Sequence, residues 1–130
     1  MQPDPSQPTM SPFKGRSGVK RLFFATGHSF DGLAAALRGE AAFRQMLALA
    51  VMLIPVAFML DVNQVERALL VAVLLLGLVV ELINSAIEAA IDRISLELHP
   101  LSKNAKDMGS AAQMVTLLII AFVWLTILLG

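Results

Sequence analysis

The sequence contains no cysteine. Disulfides, thiol nucleophiles and thiolate metal sites are therefore excluded, and the redox compartment is left unmarked. Charge is also scarce: Asp, Glu, Lys and Arg make up 15% of the 130 residues, against about 25% in an ordinary soluble domain. No GxxxxGK[ST] occurs, and Gly109–Ser110 after Lys106–Asp107 lacks the glycine spacing of a P-loop. HExxH is missing too. The few basic residues are scattered and form no nucleic-acid module, so no nucleic-acid partner is expected. What remains is apolar. Hydrophobic residues are 57% of the chain, too many for a normal wet surface, and the net charge is zero. The chain reads as an all-α integral membrane protein of one domain.

Residues 1–12 hold four prolines and no apolar periodicity, which predicts a disordered tail and a poor signal peptide. Residues 13–130 form the membrane domain. Over 14–39, Lys14, Arg16, Lys20, Arg21 and Arg38 mix with Phe23, Phe30, Leu33 and Leu37 near helical spacing. This predicts an amphipathic surface helix, interrupted near Gly27 and Gly32. Three spans follow, at about 41–60, 66–92 and 108–129. Pro55 is a candidate kink in the first. The polar stretch 93–107 reads as a linker with a turn at Pro100, which places the third helix start near Asp107. Free amides there would favour an anion. Basic residues crowd the amino-terminal flank and the second linker, while the first turn has only Arg67. The positive-inside rule then puts the amino terminus and second linker in the cytoplasm and the carboxyl terminus opposite.

The second span carries Glu81, Asn84, Glu88 and Asp92 within VVELINSAIEAAIDR. An uncompensated acid in hydrocarbon costs roughly 2.5–3.5 kcal/mol on insertion scales. At 100° per residue the four fall within an arc of about 80°, a single stripe that must face protein, water or a cation. Glu40, Arg44, Glu88, Asp92, Lys106 and Asp107 then converge at one membrane face. A three-helix chain rarely encloses so many polar groups alone, and small residues (Ala86, Ala89, Ala90, Gly109–Ala112) allow close helix approach, so a homo-oligomer is expected.

Glu40 and Glu88, brought together by the first two spans, suit a hard divalent ion such as magnesium bridging phosphate oxygens. Asp92 can tune or extend that site. Glu81, two turns deeper, can accept a proton from a lipid hydroxyl, and Asn84 offers both donor and acceptor. Lys106 can reach a phosphate. Each has a structural alternative: Glu81 as a helix–helix hydrogen bond, Glu88 and Asp92 as wet interfacial acids, Arg44 as a snorkelling side chain, Lys106 as a topology signal, His99 as a solvent-facing loop residue.

The blocks EAAFRQ at 40–45, VELINSAIEAAIDR at 80–93 and AKDMGSAA at 105–112 closely resemble the bacterial integral-membrane diacylglycerol kinase family, over about residues 14–130. The resemblance implies a homotrimeric helical bundle in the bacterial inner membrane, each subunit with a surface helix and three transmembrane helices. It implies transfer of the terminal phosphoryl group of MgATP to diacylglycerol, giving phosphatidic acid, at sites between subunits near the cytoplasmic interface. By the same resemblance Glu81 is the catalytic base and Asn84 an active-site residue. Glu40 and Glu88 are the magnesium ligands and touch ATP. Arg21, His28, Glu97, Leu98, His99, Lys106 and Asp107 hold the nucleotide. Arg21, Arg44, Gln45, Glu81 and Ser110 lie at the lipid substrate, and Asp92 is a further polar site residue.

Three positions depart from the family pattern: Met46 where an acid often follows FRQ, His28 for a frequent tyrosine, and Phe30 for a frequent tryptophan. The carboxylates are intact. The nearest rival is an undecaprenol kinase on the same fold; EAAFRQ and AKDMGSAA favour the diacylglycerol branch. A small proton-coupled transporter using Glu81 as relay is a different class, disfavoured by three spans and by polar residues at one face. A structural subunit of a larger complex is the third.

Overall fold

Two short polar breaks divide the apolar run, and local chemistry fixes where each helix restarts. At the first, the Asn63 side chain accepts from the Glu66 amide at 2.9 Å, and Glu66 accepts from the Asn63 amide at 3.1 Å. This reciprocal capping box satisfies two amides that the first turn leaves open. At the second, His99 Nδ1 accepts from the Leu101 amide at 3.1 Å, and Pro100 takes the first helical position, where a missing N–H costs nothing.

The computed structural model describes residues 18–130 and Ser6, and among them four helices: α1 Gly18–Gly39, α2 Ala41–Met59, α3 Gln64–Ile94 and α4 Pro100–Leu129. The rest of the tail expected over 1–12, with Lys14 and Arg16, lies outside the described residues. Two expectations are corrected. Helix α1 runs unbroken through Gly27 and Gly32; a lone glycine costs a helix only about 1 kcal/mol, which its neighbours can offset. Helix α4 begins at Pro100, not near Asp107. Proline stops a helix arriving from before it but starts one well, and residues 100–107 are helical rather than linker. Asp107 therefore sits two turns inside α4, and the free amides belong to the helix start at Pro100.

The chain divides into one unit running through Ala34 and a second from Ala35 to Gly130. In the first, Phe23 and Phe24 meet edge to face with centroids 6.3 Å apart. In the second, α3 is the middle element, packed on α2 along one side and on α4 along the other. Helices α2, α3 and α4 are each long and apolar enough to cross a membrane, which makes this a multi-pass membrane protein. At 1.5 Å per residue, the 31 residues of α3 span about 46 Å.

The core is a seam of Met46, Ala50 and Ala57 from α2, Leu70, Val73 and Leu74 from α3, and Ile120 and Trp124 from α4. Trp124 is tied into it by its indole N–H, which donates to the Leu70 carbonyl at 3.2 Å. Gly77 lets α2 come close: a Cβ there would stand 2.5 Å from Met46 Cε and 2.8 Å from its sulfur. Met46 is thus a core residue, 4% exposed. The methionine at this departure from the family pattern faces α3, where an acid would need a partner. Large apolar side chains such as Phe58, Leu75, Leu118 and Phe122 point outward, as lipid-facing or subunit-facing positions should.

Arg67, the basic residue counted for the first turn, turns back on α2. Its guanidinium donates to the carbonyls of Ala57 at 3.1 Å, Leu60 at 3.0 Å and Val62 at 3.4 Å. Those carbonyls close the end of α2, where a cation also complements the helix dipole. Arg67→Met should therefore lower stability by about 1–3 kcal/mol, the scale of leaving buried acceptors unpaired. Thermal unfolding in detergent measures this; an unchanged midpoint would remove the capping role.

Candidate active site

Antiparallel packing brings the start of α2, the end of α3 and the start of α4 to the same end of the bundle. The polar stripe of α3 lies there. Glu81 is the deepest member and is only 3% exposed. The charges of Glu88 and Glu40 act on it, and Asn84 stands one turn further along the same helix. Glu88 and Asn84 are half-buried. Glu40 occupies the cap position of α2, yet its side chain makes no capping bond, so its carboxylate is not spent on the helix start. The three acids expected from two separate sequence blocks are in this way brought into one electrostatic group.

Beside it, the α3–α4 connection forms a cleft of about 630 Å³. Its walls include Glu97, Leu98, His99, Lys106 and Asp107, all expected at a nucleotide, and Asp92, expected as a further polar site residue. Lys106 Nζ donates to Asp92 at 2.7 Å and also feels the charge of Glu88. Lys106 therefore joins the cleft to the acid group. Asp107 is engaged by Lys103, one turn earlier on α4. His99 lends Nδ1 to the helix cap, so it is a cap residue as well as a wall of the cleft.

Other expected residues stand elsewhere. Arg44 donates to the carbonyls of Leu37 at 3.0 Å and Arg38 at 3.1 Å, so within the chain it caps the end of α1. Gln45 and Ser110 are exposed. Arg21 and His28 lie in the first unit.

Among the described residues, no group of three His, Cys, Asp or Glu side chains forms a metal cage. Two carboxylates, Glu40 and Glu88, nonetheless share the neighbourhood of Glu81. Two carboxylates are the kind of oxygen donors that suit a hard divalent cation such as magnesium.

The interior also holds two polar side chains that the sequence reading passed over, Ser85 and Gln113. Gln113 donates to the Gly77 carbonyl at 3.5 Å. Asn84 Oδ1, Ser85 Oγ and Gln113 Oε1 are buried without a hydrogen-bond partner. The signal for Gln113 was available, since an amide inside the apolar run AAQMVTLLII is as anomalous as Asn84. Ser85 gave less signal, because a serine in a membrane helix commonly bonds its own backbone.

Fold and site together define a polytopic α-helical membrane protein whose polar machinery is gathered at one end around a buried acid. The family model for prokaryotic diacylglycerol kinase matches residues 27–128, and the chain belongs to that family. A diacylglycerol kinase of Pseudomonas aeruginosa is 68% identical over 120 residues, covering 92% of this chain and 98% of its own. Diacylglycerol kinases of Helicobacter pylori and Escherichia coli are 47% and 43% identical, covering 88% and 86% of this chain and 92% of their own.

Proposed function

We propose that this chain is an ATP-dependent lipid kinase that moves the terminal phosphoryl group of MgATP onto the free hydroxyl of diacylglycerol, giving phosphatidic acid and ADP. The observation that carries the reading is the acid stripe of α3, which runs from the buried Glu81 through Glu88 to Asp92, where Lys106 and a cleft meet it. Family membership supports the same activity. The transfer is direct. Glu81 takes the hydroxyl proton, the freed oxygen attacks the terminal phosphorus in line, and the bond to the β-phosphate oxygen breaks. Asn84 holds the Glu81 carboxylate in place. Lys106 binds phosphate, with Asp92 setting its position, and Glu97, Leu98 and His99 form the nucleotide wall. Arg21 and His28 add nucleotide contacts from α1. Arg21, Arg44, Gln45 and Ser110 guide the lipid. Glu40 and Glu88 would hold magnesium, which when bound offsets charge on the phosphoryl oxygens.

The working form is a homotrimer in the bacterial inner membrane, with the amino terminus and the α3–α4 connection cytoplasmic. The outward apolar faces of α2–α4 support association. The basic flank supports the orientation.

The test is purified protein in mixed micelles with radiolabelled MgATP and equal diacylglycerol and undecaprenol. Label in phosphatidic acid is expected. Label only in polyprenyl phosphate would replace the acceptor, and no label in either would remove the kinase reading. In the same assay, Lys106→Met should raise the ATP needed for half-maximal rate roughly tenfold, the scale of one lost charge-assisted bond to phosphate. An unchanged ATP titration would leave Lys106 as a topology signal only.

A further inference from the structure

Gly109 lies on α4 opposite Asn84 on α3, and it is buried. A Cβ built on Gly109 would overlap Asn84 Oδ1, and would stand 3.1 Å from Asn84 Cγ. The Asn84 oxygen therefore occupies the space a side chain at 109 would take, against the α-hydrogen of Gly109. Oδ1 has no other partner although it is buried. An α-hydrogen is a weak donor, and such contacts recur where helices approach closely.

This has a consequence for the amide. Asn84 has one accepting end and one donating end. Glu81, when ionised, can only accept. With Oδ1 turned to Gly109, the donating end is the one left for Glu81, one helical turn before it on α3. The reverse orientation would set the amide oxygen against the carboxylate. One turn further along α4, Gln113 donates to the Gly77 carbonyl at 3.5 Å and helps fix the helix separation. Gly77 is itself one turn before Glu81.

We infer that Gly109 is a positioning residue for the reaction: its missing side chain seats the Asn84 amide so that Asn84 donates to Glu81. The inference rests on the kinase reading above, but it concerns how the base is held. Misplacing a catalytic group by about 1 Å can cost on the order of 10²-fold in rate.

The experiment is a double-mutant cycle of Gly109→Ala and Asn84→Ala in the full-length protein. It is read by kcat, by KM for MgATP and for diacylglycerol, and by thermal midpoint. Gly109→Ala alone should lower kcat roughly 10–100-fold with both KM values within about twofold. It should also lower the midpoint. In the Asn84→Ala background the obstructing Oδ1 is gone, and the remaining Asn84 Cβ lies 3.8 Å from the added carbon, an ordinary contact. There Gly109→Ala should cost less than about twofold in kcat and nothing in midpoint, because coupled residues are non-additive. The same loss of kcat and midpoint in both backgrounds would make Gly109 a plain packing residue and overturn the inference. So would a normal kcat for Gly109→Ala in wild type. A wild type that labels no lipid would instead overturn the kinase reading and this role with it.

Discussion

Glu81→Gln is expected to lower turnover by about 10²–10⁴-fold, the range of a lost general base. It should leave any self-assembly and nucleotide binding within about twofold of wild type, since surface and volume are nearly unchanged. Glutamine keeps the shape and can still hydrogen-bond Asn84, but it cannot take a proton at neutral pH. The side chain is 3% exposed, so any stability change would come from its immediate contacts. A neutral amide also removes the charge on which Glu40 and Glu88 act. Turnover by radiolabel transfer, assembly by size-exclusion with light scattering, and nucleotide binding by calorimetry separate the outcomes. Loss of assembly in proportion to activity would make Glu81 a structural hydrogen bond between helices.

The second large effect is expected on magnesium. Glu88→Gln should raise the magnesium concentration for half-maximal rate by about 10–100-fold, at least the scale seen when only an outer partner of a metal ligand is lost. Glu40→Gln should do the same, although Glu40 lies at the start of α2 and Glu88 near the end of α3. Both acids act on Glu81. Removing either charge also eases the field at the base, so the maximal rate at saturating magnesium should fall less than in Glu81→Gln. An unchanged magnesium titration for Glu88→Gln would take Glu88 out of the metal site. Its charge would then act only on Glu81 and Lys106.

The spans were legible because apolar length is a local property: about 20 apolar residues in a row cross a bilayer whatever surrounds them. The acid stripe was legible for a related reason, since Glu81 in hydrocarbon is anomalous before any neighbour is known. The α4 start was misplaced because Pro100 carries two opposite meanings. It ends a helix from one side and opens one from the other, and the His99 cap that decides between them was read as a loop residue. Arg67 and Arg44 were counted as charges for topology, whereas both donate to the carbonyls of a preceding helix end. Charge is visible in sequence, but a long side chain's direction is not.

By itself the sequence determined the class of the molecule: three apolar helices, an acid-bearing second span, no thiol chemistry and no nucleotide-binding loop of known spacing. It also supplied the residues from which a phosphoryl-transfer site can be built. Only the tertiary structure decided which of them meet. Glu40 and Glu81 are 41 positions apart, and Asp92 and Lys106 belong to different helices. Their proximity depends on antiparallel register, set by Gly77 against Met46, by Trp124 on Leu70 and by Gly109 on Asn84. Register is a sum of many small packing contacts between distant segments, and no single stretch of sequence contains it.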